Sequence, residues 1–209
     1  VPLLKSLGRP APGTPPAPLP ALRARPAVPP AADRPPTLRP FVDACYGLLG
    51  AVALPFYALA LARRPAYRGS LAQRLGFAPR LPSGRPRVWI HAVSVGEVAV
   101  ARPLVDLLAA RHPDWDLVIS TTTTTGQEVA RKAFRDRTVF YLPVDFSPCV
   151  RNALRRIRPD VIVLVELEVW PNHLLEARRS SVPVVIVNGR VTEDALRRYG
   201  WIIHPWRRI

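Results

Sequence analysis

The stretch VWIHAVSVGEVAVARPLVDLLAAR, residues 88–111, decides the fold. It opens as an apolar, β-branched run over 88–94 and turns at Ser94-Val95-Gly96. From Glu97 to residue 111 it continues as a helix pattern in which Val98, Ala101, Leu104, Val105 and Leu108 share one face. A strand that is apolar on both sides and feeds directly into a helix is the unit of a parallel sheet covered on both faces. The unit recurs along the chain: DLVIST (116–121), TVFYLP (138–143), DVIVLVE (160–166) and PVVIVN (183–188) read as strands. Between them helices are predicted near 126–135, 147–157 and 171–180. The expected fold class is α/β, a Rossmann-like parallel sheet over residues 88–203, with ligands taken at the carboxyl ends of the strands.

Upstream of this domain the composition changes twice. Residues 1–40 hold half of the 26 prolines, including the pairs Pro15-Pro16, Pro29-Pro30 and Pro35-Pro36, and read as a disordered Pro/Ala-rich tail because proline supplies no backbone donor. Residues 41–64 read as a membrane-anchor helix, since ACYGLLGAVALPFYALALA (44–62) carries no charge. As a helix that stretch spans about 28 Å, close to the thickness of a bilayer core. Arg63, Arg64, Arg68 and Arg74 follow it without an acid, which places the downstream side in the cytoplasm. Pro55 weakens a spanning helix, and a buried core helix or a helix lying in the interface are the alternatives. Residues 65–87 read as an amphipathic linker.

The 209-residue chain is 48% hydrophobic and 22% charged, a balance that supports a sizeable core. Its net charge of +15 predicts attraction to polyanions, but the arginines are scattered and no zinc-finger, RRM or helix-turn-helix signature accompanies them, so no nucleic-acid partner is expected. The two cysteines, Cys45 and Cys149, have the spacing of neither a disulfide framework nor a zinc site.

The chemistry sits at the predicted strand ends. Glu97 in a first helical turn is explained by dipole electrostatics alone, worth about 0.3–1 kcal/mol, or it is a base presented above the sheet. Ser120 to Gly126 is a hydroxyl run able to cap a helix or to hold an anion, without the lysine and glycine spacing of a Walker A loop. Glu166 and Glu168, if both extended, point to one face, where like charges need compensation. Trp170-Pro171-Asn172 fits a helix entry. Ala92-Val93-Ser94-Val95-Gly96 approaches the hydrolase nucleophile elbow, but it departs at Ala92 and lacks a histidine after a late strand.

Five segments in this order, WIHAVSVGEV (89–98), the threonine run with Gly126, YLPVD (141–145), RPDVIVLVELEVWPN (158–172) and VNGRVTEDALRRY (187–199), resemble the N-terminal domain of the bacterial 3-deoxy-D-manno-octulosonic-acid (Kdo) transferases. Gln73-Arg74-Leu75-Gly76 adds to the match, which covers roughly residues 44–203. The resemblance implies the N-terminal half of a GT-B glycosyltransferase that inverts the transferred sugar and uses no metal and no cofactor. It implies transfer of Kdo from CMP-Kdo to the lipid A precursor, in lipopolysaccharide synthesis at the cytoplasmic face of the inner membrane. Glu97 is implied as catalytic base, with Glu166 and Glu168 as the further acidic positions. Ser94, Gly96, Thr121, Thr123, Thr125, Gly126, Trp170, Asn172, Asn188 and Arg190 are implied as substrate-binding or cleft-shaping. Gly189 stands where the family commonly has alanine. The chain stops at Ile209 without the family's C-terminal donor domain, so this polypeptide alone is expected to be inactive or nearly so. The rival expectation is a membrane-anchored α/β module that holds an anionic lipid without catalysis.

Overall fold

The computed structural model describes residues 44–48, 52, 65–82, 84–166 and 170–189. The tail expected over 1–40, the apolar stretch apart from 44–48 and 52, and the site positions Glu168 and Arg190 lie outside them. Among the described residues no helix is long and apolar enough to cross a membrane.

The elements alternate as the sequence pattern predicts: helix α1 (Pro65–Arg74), β1 (Arg87–His91), α2 (Val95–Arg111), β2 (Asp116–Thr121), α3 (Thr124–Ala133), β3 (Thr138–Tyr141), α4 (Ser147–Ile157), β4 (Val161–Val165), α5 (Pro171–Arg179) and β5 (Val184–Val187). The five strands form one all-parallel sheet in the order β3-β2-β1-β4-β5. The chain steps outward from β1 through β2 to β3, then crosses back to β4 on the other side of β1. The carboxyl ends of β1 and β4 therefore flank the topological switch point, where open α/β sheets form their ligand crevice. Register fixes which residues meet there: His91 lies opposite Ser120 of β2 on one side and Leu164 of β4 on the other.

Side chains alternate along each strand, so the apolar strands feed two cores. Trp89, Val118, Phe140, Ile162 and Leu164 pack with Val150, Ala153 and Ile157 of α4 and Ala177 of α5. Val88, Ile90, Leu117, Ile119, Val163 and Val165 pack on the opposite face with Val98, Ala101 and Val105 of α2 and Ala130 of α3. Leu104 and Leu108 join that second core at its margin, completing the helical face read from the sequence. Pro103 removes one ladder donor inside α2. It lies on the exposed side, and the apolar stripe behind it holds the helix in place.

The amino-terminal end of the sheet is tied by a buried cation. Arg87, 2% exposed, gives its guanidinium to Asp116 at 2.7 Å, to the Pro82 carbonyl at 2.6 Å and to the Ile157 carbonyl, while its own N–H donates to Asp160. A cation that far from water is tolerable only when every donor finds an acceptor.

The stretch 65–87, read from the sequence as an amphipathic linker, carries α1 and is fastened to the sheet. The Gln73 side-chain oxygen accepts the Tyr141 N–H at 2.8 Å, and the Arg74 carbonyl accepts the Val144 N–H at 2.8 Å. Gly76 follows in the left-handed region at φ 88°, so close to α4 that a Cβ there would lie 2.2 Å from the Cys149 carbonyl oxygen. Only glycine fits both demands.

Candidate functional site

The turn between β1 and α2 presents Glu97. Ser94 is the N-cap residue of α2 with extended backbone, and the Val98 N–H closes the first helical bond on its carbonyl at 3.0 Å. Glu97 stands in the first turn, 8% exposed. Its Oε2 accepts the Val93 N–H at 2.7 Å, and its Oε1 accepts the Ser94 hydroxyl at 3.1 Å. The carboxylate is thus aimed back over the turn, beside the partial positive charge of the helix N-terminus. Gly96 is exposed, and a Cβ added to it would meet nothing nearer than the Ser94 hydroxyl at 3.9 Å. Neither packing nor backbone conformation demands glycine there, and its bareness leaves the approach to the turn open.

The threonine run grips this turn from the side. The Val93 carbonyl accepts the Thr122 N–H at 3.2 Å and, at 3.3 Å each, the Thr123 N–H and hydroxyl. Thr123 is the N-cap of α3 and accepts the Gly126 N–H at 3.0 Å. Gly126 lets the two helix starts meet: a Cβ on it would lie 2.7 Å from the Thr123 hydroxyl and 3.1 Å from the Val93 carbonyl. Thr121 is buried and donates its hydroxyl to Gln127, which makes it a brace of β2 on α3. Thr123 and Thr125 remain exposed.

Across the switch point, β4 ends at Val165 and Glu166 turns into the left-handed region at φ 64°, exposed, with its N–H on the Val187 carbonyl at 2.8 Å. Such a conformation in a non-glycine residue stores strain. The spacing places Glu166 and Glu168 on one face only if both are extended; Glu166 is not, and Glu168 lies outside the described residues. Asn188 ends β5 in the same way, at φ 55° and exposed.

The segment after β4 behaves differently from expectation. Asn172 is fully buried; its amide donates to the Asp145 carbonyl at 2.7 Å and its oxygen accepts the Ser147 hydroxyl at 3.0 Å. It ties α5 to the β3–α4 loop. Trp170 packs partly buried beside the first core and is the N-cap residue of α5 without a capping side chain.

Sequence reasoning missed the group that replaces that cap. Asp145, from the loop after β3, accepts the N–H groups of Asn172 and His173 at 3.1 and 2.9 Å and the His173 imidazole Nδ1–H at 2.8 Å. The Tyr46 hydroxyl, from the start of the apolar stretch, bonds to it as well. Burial opposes the ionised form of Asp145, but His173, the Asn172 N–H and Tyr46 outweigh it and hold the carboxyl below the ordinary range. His91 at the end of β1 is pushed down to about 3, by burial first and by the charge of His173 second, against a bond to the Ser120 carbonyl. Arg74 was also missed as a site element: it reaches the Thr122 carbonyl at 2.7 Å and lies 4.6 Å over the Tyr141 ring, bringing a cation to the carboxyl ends of β2 and β3. No cluster of three metal-ligating side chains occurs among the described residues.

The site is therefore a fixed carboxylate at a β1–α2 turn, a strained acidic residue on the facing strand end and a nearby arginine. Comparison with known proteins bears on its identity. The chain is 34% identical over 151 residues to the 3-deoxy-D-manno-octulosonic acid transferase of Haemophilus influenzae, covering 71% of this chain and 35% of the relative. It is 33% identical over 139 residues to that of Chlamydia pneumoniae, covering 65% and 32%, and 36% identical over 135 residues to that of Bordetella pertussis, covering 62% and 31%. The chain thus spans about a third of the length of these curated relatives. Residues 69–209 match the family model of the 3-deoxy-D-manno-octulosonic-acid transferases, and the chain belongs to that family, the Kdo transferases.

Proposed function

We propose that this chain is the acceptor-side domain of a glycosyltransferase that moves Kdo from CMP-Kdo to a hydroxyl of the lipid A precursor, with Glu97 as general base. The observation that carries this reading is the Glu97 carboxylate, held by the Val93 N–H and the Ser94 hydroxyl at the carboxyl end of β1 beside the switch point. In the reaction the acceptor O–H gives its proton to Glu97. The oxygen's electron pair bonds to the anomeric carbon, and the bond from that carbon to the CMP phosphate breaks with its pair leaving on CMP. A single displacement of this kind inverts the anomeric centre and needs no covalent enzyme intermediate. Glu166 serves as a further acidic group of the reaction, a role the family resemblance gives to Glu168 as well. Gly96, Thr123, Thr125, Gly126 and Asn188 shape the crevice around the acceptor, and Ser94 borders it at the turn that holds Glu97.

The acceptor is an anionic lipid, and a net charge of +15 favours attraction to its phosphates and to an anionic membrane surface. The working place is the cytoplasmic face of the bacterial inner membrane. Tyr46, in the first turn of the apolar stretch, bonds to Asp145 on the globular domain.

The test joins this chain to the part of the Haemophilus influenzae relative that it does not cover and measures Kdo transfer from CMP-Kdo to lipid A precursor in vesicles. Transfer supports the reading. Vesicle binding with no transfer, alongside an active parent relative, is the signature of a non-catalytic lipid-binding module and overturns it.

A further inference from the structure

We infer that Ser94 is the positioning residue of Glu97, its hydroxyl diverted from helix capping to aim one oxygen of the base at the acceptor. This rests on the reading of Glu97 as the base. Ser94 and Glu97 stand in the S-x-x-E spacing of a capping box, in which the serine hydroxyl accepts a helix N–H and the glutamate returns to the serine's own N–H. Neither half of that box is made. The Ser94 hydroxyl caps no N–H of α2 and donates to Glu97 Oε1 at 3.1 Å, while Oε2 takes the N–H of Val93, one residue earlier. Glu97 is buried, so its orientation is set by these two bonds and not by solvent.

The two oxygens are thereby made unequal. Oε2 is fixed by a short backbone bond at 2.7 Å from a residue whose carbonyl is itself gripped by Thr122 and Thr123. Oε1 is held only by a side-chain hydroxyl, and a carboxylate oxygen offers two lone-pair directions. Ser94 occupies one of them and leaves the other for the acceptor O–H. During transfer the acceptor proton passes to Oε1, the acceptor oxygen bonds to the anomeric carbon, and CMP leaves with the electron pair of the broken bond. Ser94 keeps its own proton throughout.

Two arms test this. In crystals of the chain carrying Ser94→Ala, the Glu97 carboxylate is expected in more than one orientation, with the melting temperature lowered by roughly 3–12 °C, the loss of one hydrogen bond to a charged group and of no capping bond. In the fusion with the Haemophilus influenzae portion, Ser94→Ala is expected to lower kcat roughly 10- to 100-fold, the loss that misplacing a reacting group by about 1 Å produces. Acceptor KM stays constant, and Ser94→Thr, which keeps the hydroxyl, restores most of the turnover. A carboxylate that stays in one position in Ser94→Ala overturns the proposal without any activity measurement. So does a raised acceptor KM at unchanged kcat, which marks a substrate contact. Glu97→Gln separates the underlying reading: if it abolishes transfer while Ser94→Ala leaves kcat at the parent's level, positioning falls and the base stands. If Glu97→Gln transfers normally, the base reading falls and takes the positioning role with it.

Discussion

Replacing Asp145 by asparagine removes the cap of α5 and the partner of His173 in one step. The carboxylate accepts two backbone N–H groups and an imidazole N–H, all within 3.1 Å, at a residue 4% exposed. Asparagine keeps one acceptor oxygen and turns an amide donor toward the remaining N–H groups. Loss of an N-cap costs about 1 kcal/mol, and loss of a hydrogen bond to a charged group about 1.5–3 kcal/mol. The sum, about 3 kcal/mol, lies at the lower end of what breaking a buried ion pair costs. For a chain of this size it lowers the melting temperature by roughly 6–12 °C. Urea unfolding followed by circular dichroism measures the change, with exposed Asp136→Asn as a control expected within about 0.5 kcal/mol of the parent.

The pH dependence gives a second check. The folded Asp145 carboxyl is held below its unfolded value, so its contribution is complete above about pH 4 and is lost as pH falls through the lower folded value. The gap between parent and variant must therefore narrow in strong acid. His91, kept neutral and lowered to about 3, adds a loss of stability common to both proteins as pH drops below its unfolded value of about 6.5. A difference under about 1 kcal/mol at neutral pH, or a gap that widens in acid, refutes the assignment of Asp145 as the α5 cap.

The remaining stability predictions concern two tight places. Arg87→Met fills the volume but strands the Asp116 carboxylate and two carbonyls, and should cost about 3 kcal/mol by denaturant unfolding, discounted because Asp116 is 31% exposed; a loss below about 1 kcal/mol contradicts the clamp. Gly76→Ala forces a Cβ into the Cys149 carbonyl at a left-handed position, and should destabilise by about 2 kcal/mol or more in a thermal melt; a neutral result means the α1–α4 contact is not as close as described.

The strands were legible in the sequence because a parallel sheet buried on both faces leaves an unbroken apolar run, as in VIVLV of β4. Their ends were less so. The predicted first strand runs on to Ser94, whereas the structure leaves the ladder after His91, because the turn bonds to the threonine segment replace strand pairing there. Strand order was not readable, since parallel pairing joins residues far apart, such as Trp89 with Ile162. Among site residues, Glu97 was found because its helix start is local. Asp145 was invisible because its partners lie 27 and 28 residues away, and nothing in YLPVD marks a carboxylate as the cap of a distant helix. The burial of Asn172 was invisible for the same reason: an asparagine near a helix start reads as polar surface until the loop that buries it is known. Arg87 likewise counts as one surface charge among 30 in the sequence and proves to be the buried clamp of the sheet.

The central claim, that Glu97 removes the acceptor proton, is tested most directly by Glu97→Gln in the fusion with the Haemophilus influenzae portion. Glutamine keeps the shape and still accepts the Val93 N–H but takes up no proton. Steady-state Kdo transfer should fall by about 100-fold or more in kcat, with the melting temperature and vesicle binding of the lipid A precursor close to those of the parent. Turnover within about tenfold of the parent contradicts the account and returns Glu97 to a helix-terminal charge of purely structural value.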